Sequence, residues 1–135
     1  MKVIVEKEGE ETVTLEEVDA YDFPQLLIER AMKEGNCDQA RALDLLREAK
    51  RMLYLKARGA EMVNPSIIVD DAWHAMLLFT REYHKFADFI GVFVHHNPTP
   101  PGEGSKIEAG EDAYSYTKRI YEEFLGVKPD PVYWP

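Results

Sequence analysis

Residues 64–91 read NPSIIVDDAWHAMLLFTREYHKFADFIG, and the fold turns on whether this run is one helix. Asn64 and Pro65 stand as an N-cap and a first-turn proline would, and Gly91 suits the far end. At about 100° per residue, Ile68, Ala72, Met76, Phe79, Tyr83, Phe86 and Ile90 fall on one narrow stripe. The spacing therefore predicts a single helix through residue 90 with that stripe as its core face. Asp70, His74, Arg81 and Asp88 fall on the far side. Trp73, Leu77 and Leu78 flank that far side and give the first half of the helix a second apolar patch, which water should not see. Something is expected to cover it.

Upstream, Asp38 can cap a helix whose Ala42, Leu45, Leu46, Ala49, Met52 and Leu53 repeat at helical spacing and which ends at Gly59. Asp44, Arg47, Glu48 and Arg51 are expected outside it. Before that, Asp22 with Phe23 and Pro24 opens a helix through Lys33 that stops at Gly35 and Asn36, and residues 15–20 form a separate turn. At the N-terminus, residues 2–14 place β-branched residues on both sides of Glu-Gly-Glu-Glu, the pattern of a short β-hairpin. Downstream, residues 93–108 carry three prolines and two glycines and are expected to form a long Pro/Gly loop. Ala113, Tyr116, Thr117, Ile120, Tyr121 and Phe124 restore helical spacing, Gly126 ends it, and Val132, Tyr133 and Trp134 are expected to clamp back onto the core. The expected fold is mostly α: a single domain over residues 1–135, with about four helices, the N-terminal hairpin and the long loop before the last helix.

A chain of 135 residues with 45% hydrophobic content can bury one core without staples. Its net charge of −9 repels phosphate backbones, and no Lys/Arg cluster reverses that locally. Nucleic acid and anionic membrane are therefore not expected as partners. A single cysteine, Cys37, allows no internal disulfide and no Cys-rich zinc or iron–sulfur site. The opening MKVIVEKEGEE lacks a cationic stretch followed by an apolar one, and the chain reads as cytoplasmic.

All four histidines lie between residues 74 and 96, so any chemistry is expected there. The loop carrying His95 and His96 leaves the helix near Gly91 and could fold back over the patch around Trp73. Asp70, His74 and one loop histidine would then meet beneath a tryptophan-lined lid. Asp70 and His74 are four apart and share a helix face. That suits a metal ligand with an orienting carboxylate, or a general base with its partner. It equally suits a plain stabilising pair, with Asp70 favoured by the helix dipole.

His95 and His96 are adjacent, so in extended chain they point oppositely and compete for one site. His84 is too far around and along the helix to join His74 and reads as a rim or surface residue. A set of His74, His95 and His96 with a carboxylate would suit a divalent metal such as zinc or iron, although HExxH is absent. No G-x-S-x-G elbow, P-loop or dinucleotide fingerprint occurs. Cys37 near a helix start reads as an incidental small residue, and Glu108, Glu111 and Asp112 as dipole-matching charges.

The string VDDAWHAMLLFTREY, followed by GVFVHH and N-P, resembles the VDxxWHxxxLxTxxY…GxFxHHxP core of the glycine-rich domain-containing-protein-like family of small bacterial and plant proteins. The strong match spans residues 69–98, and PDPVYWP resembles the tail of bacterial members. The resemblance implies importance for Asp70, Trp73, His74, Tyr83, His95, His96 and Pro98. It assigns no reaction. Relatives often carry cysteine where this chain has Ala87, and the plant proteins' glycine-rich extension is missing here.

Two functions from different classes fit these residues. One is a domain whose pocket of Asp70, Trp73, His74, Tyr83, His95 and His96 binds a metal or small ligand. The other is a non-enzymatic module in which Trp73, the loop and the aromatic tail form a protein partner's surface and the histidines are structural.

Overall fold

The computed structural model describes residues 12–96 and 112–135. The described residues form an all-α single domain of six helices, without strands. The expected hairpin lies almost wholly outside them, as does most of the Pro/Gly loop with Pro98.

A Thr14–Glu17 capping box starts α1, Leu15–Ala20, so the expected turn there is a short helix. Pro24, rather than Asp22, occupies the N-cap of α2, Gln25–Gly35, and Asn36 ends it in the left-handed conformation at φ 48°. Asp38 accepts the Arg41 N–H to open α3, Gln39–Ala57. Next come α4, Ile67–Leu78, and α5, Thr80–Ile90. Asp112 caps α6, Ala113–Leu125, and Gly126 closes it at φ 73°.

The helices α2, α3 and α4 pack on one another in all three pairings, while α1 and α6 lie on α3 and α5 lies on α4. The expected stripe of α3 is fully buried. Its opposite side is buried too, which corrects the expectation for Glu48 and Arg51: α1, α6 and the tail cover that side. Glu48 is 1% exposed and accepts hydrogen bonds from Arg47 Nε, Tyr121 OH and Trp134 Nε1. Arg51 makes a bidentate pair with Asp19 and donates to Tyr121 OH. Lys50 Nζ donates to the Asp19 and Tyr21 carbonyls, tying down the end of α1. Each of these charges meets two or more hydrogen-bond partners, the condition under which burying charge is tolerated.

The single helix expected from residue 65 to 90 is two helices. Phe79, at φ −103° and ψ 72°, ends α4 and starts α5. Neither glycine nor proline marks the break, and tertiary packing accounts for it. Phe86 and Phe89 of α5 stack against Tyr21 and Phe23, with ring centroids 4.8 to 5.9 Å apart. The bend turns that aromatic face onto the α1–α2 junction while α4 stays between α2 and α3. The start of α4 also shifts, because the Asn64 N–H donates to Thr117 Oγ1 and Ser66 becomes the N-cap. Among the described residues no helix is long and apolar enough to cross a membrane.

Candidate functional site

The first turns of α4 carry Asp70 and Trp73 three residues apart, on one side of the helix. Ser66 fixes that end: its Oγ accepts the Val69 N–H and donates to the Tyr133 carbonyl of the tail. At the other end Gly91, φ 88°, turns the chain back after α5, and open space surrounds the position a Cβ would take. Residues 92–96 then return from the end of α5 toward the start of α4. Two attachments hold them. Tyr83 OH donates to the Val94 carbonyl at 2.5 Å while accepting the Trp73 indole N–H at 3.1 Å. His96 Nε2 donates to Asp70 Oδ1 at 2.8 Å, and its ring lies 4.3 Å from that of Trp73. Residues 92–96 thus cover Trp73, whereas Leu78 of the same expected patch stays 50% exposed.

Together these elements enclose an open cleft of about 690 Å³, walled by the end of α3, residues 61–67, the start of α4 and residues 92–96. Trp73 and Phe93 supply apolar wall, and Asp70, His96, Asn64 and Lys56 supply polar groups. Trp73 is 4% exposed, with the His96 ring tilted against it. Burial raises the Tyr83 hydroxyl above the ordinary phenol range, keeping it neutral and able to donate to Val94. Asp71, beside the site, is raised by burial and then by the charge of Asp70.

Of the residues expected in the pocket, Asp70, Trp73, Tyr83 and His96 are brought together. His74 is not. It projects from the α2 side of α4, half exposed, with Nδ1 3.4 Å from Glu34 Oε2. The helical neighbour chosen for Asp70 is thus replaced by a residue 26 positions on, because the returning segment occupies Asp70's side and α2 occupies His74's. Glu34 is held below the usual carboxylate range by its hydrogen bond from Arg30, with His74 a smaller influence. His95 lines the cleft but is exposed and sets its ring edge-on to Phe93 at 4.9 Å. Adjacency therefore resolves in favour of His96. His84 stands exposed at the rim, 4.7 Å from Phe93. Among the described residues no three His, Cys, Asp or Glu side chains converge, so His74, His95 and His96 do not form a metal set there.

Lys56 was the residue that periodicity could have supplied. It sits three and four positions after Leu53 and Met52, extending the apolar stripe of α3 with a charge. Its Nζ donates to the Glu61 carbonyl at 3.0 Å, and burial lowers its pKa to about 8.

The fold and site define a small helical domain with an acid–imidazole–indole cleft. A model of the UCP032817-like family matches residues 14–106, and the chain belongs to that family. The matched span includes every described wall of the cleft. No curated protein and no solved structure matches the chain.

Proposed function

We propose that this protein is a small-ligand-binding domain whose site is the cleft between α3, α4 and residues 92–96. The observation that carries this reading is the Asp70–His96–Trp73 arrangement: a carboxylate, an imidazole and an indole face gathered at the wall of a ligand-sized cleft. Such a wall offers one flat apolar surface and a few converging polar groups, the division of labour by which small organic molecules are held. A zinc or iron site needs three or four converging donors, whereas among the described residues one carboxylate and one imidazole meet here and are bonded to each other. The donor chemistry thus favours an organic ligand over a metal. The competing partner-surface reading finds less support, since Tyr133 and Trp134 of the tail are buried and tied to α3 and to the start of α4. We also propose kinship with the glycine-rich domain-containing-protein-like family, supported by the joining of Asp70, Trp73, Tyr83 and His96 from its pattern.

Thermal-shift screening of a panel of small carbonyl, carboxylate and aromatic compounds tests the binding reading. Compounds that stabilise the wild type should lose their effect on His96→Ala and keep it on His74→Ala, with about 2.7 kcal/mol gained at a hundredfold excess over Kd. Equal shifts in the two variants would move the site away from this cleft.

A further inference from the structure

Besides the Asp70–His96 pair, the ionisable side chains lining the cleft are Lys56, Glu61 and His95, and Lys56 is the one amine among them. Lys56 lies in the last turn of α3, half-buried, three and four positions after the buried Leu53 and Met52, and it lines the cleft. Its hydrogen-bond partner is a neutral carbonyl, that of Glu61, which leaves two of its three N–H directions uncommitted by that bond.

We propose that Lys56 is a covalent anchor of the cleft, forming a reversible imine with a small aldehyde or ketone whose flat body rests against Trp73 and Phe93. This rests on the reading of the cleft as a small-ligand site and names the ligand's reactive class. The neutral Nζ adds its lone pair to the carbonyl carbon, and the carbonyl π pair moves to oxygen, which takes up the proton that nitrogen gives off. The resulting hydroxyl then leaves as water with one further proton, the nitrogen lone pair closes the C=N bond, and nitrogen releases its remaining proton. Amine and carbonyl become imine and water, with no change of oxidation state. The Asp70–His96 pair lines the same cleft and is of the right chemistry to lend and recover the proton.

Burial supports the step. With a pKa of about 8, about a tenth of the amine is neutral at pH 7, against about one part in three thousand for an unperturbed lysine. Desolvation is one of the recognised ways in which proteins make lysine a nucleophile.

The test uses the full chain with benzaldehyde and cyanoborohydride near neutral pH, followed by peptide mass mapping. Lys56 should acquire the benzyl group at least roughly tenfold faster than the exposed lysines, given its larger neutral fraction, and faster than Lys50, whose equally lowered amine is buried against two carbonyls. Lys56→Arg, which keeps the charge and a donor for Glu61, should melt like the wild type and lose the fast labelling. Benzyl alcohol, having the same body but no carbonyl, is followed in parallel through the Trp73 indole N–H resonance. If both compounds move that resonance while labelling is spread evenly over the lysines, the imine is overturned and the binding cleft stands. If neither moves it and Lys56 labels no faster than the rest, both fall. Fast labelling of Lys56 without any change at Trp73 would overturn the placement of the ligand's body, and with it the proposal.

Discussion

Tyr83 joins both sides of the cleft through one oxygen. Its hydroxyl accepts from Trp73 on α4 and donates to Val94 on the returning segment. Tyr83→Phe would leave the indole N–H and the Val94 carbonyl without that partner while preserving the ring's packing. We expect a loss of about 2 kcal/mol in urea unfolding and a weaker hold on residues 92–96, seen as faster amide exchange there. The lysines make a pH prediction. Burial lowers Lys50 and Lys56 from 10.5 to about 8, so between those values the unfolded chain holds protons that the folded chain has released. Stability therefore rises with pH across that window, by up to about 3 kcal/mol for the buried Lys50 and by less for the half-exposed Lys56. Near pH 10 and above, the slope reverses. Tyr21, Tyr83 and Tyr121 are raised chiefly by burial, so the folded state then keeps protons that the unfolded state loses. Urea midpoints measured from pH 7 to 11 should pass through a maximum, and Lys50→Met should flatten the rising side. A monotonic fall from pH 8 would contradict the assignment.

At the scale of elements, α3 shows both the reach and the limit of periodicity. Its stripe from Ala42 to Leu53 is legible because those side chains are apolar and recur at helical spacing. Glu48 and Lys50 are buried all the same, and nothing local in the sequence announces it. Their burial depends on α1, α6 and the tail arriving with donors and acceptors from 29 to 86 residues away. The Phe79 break was illegible for a similar reason, since the aromatic face of α5 seeks Tyr21 and Phe23 in a distant part of the chain. Glu48 tests the energetics of this arrangement. Glu48→Ala would strip the acceptor from Tyr121 and Trp134 and a carboxylate from Arg47, and should cost about 3 to 5 kcal/mol. Glu48→Gln, which retains an acceptor for Trp134, should cost less. Glu123→Ala, which removes an exposed i,i+4 partner of Arg119, should change stability by about 0.5 kcal/mol or less. Comparable losses for Glu48→Ala and Glu123→Ala would mean the buried network is not what locks α6 to α3.

For the whole molecule, the same logic explains which parts of the site could be read in advance. Trp73 on the polar side of an amphipathic run signalled a missing cover, and the return of the chain after Gly91 supplied it. Asp70 found its partner in His96 rather than His74 because side-chain direction across helices is set by packing, not by spacing along one helix. The tail extends that dependence to the far end of the chain. The Tyr133 carbonyl receives Ser66 Oγ, the Tyr133 hydroxyl donates to Asp44 and Trp134 donates to Glu48. One short segment thus fastens the N-cap of α4, and so the cleft's rim, to the middle of α3. Removing residues 132–135 should therefore do more than take away two buried aromatic rings. It should uncover Glu48, release Ser66 and destabilise the fold by several kcal/mol, since each buried aromatic lost alone costs about 3 to 5 kcal/mol. The milder variant Ser66→Ala separates the two effects. It loses both the cap and the link to Tyr133, for about 1 to 2 kcal/mol, while leaving Glu48 covered. If the tail positions the site, Ser66→Ala should remain folded yet shift the Trp73 indole resonance and slow the benzaldehyde labelling of Lys56. A folded Ser66→Ala protein with an unchanged Trp73 resonance and unchanged labelling would confine the tail's role to stability.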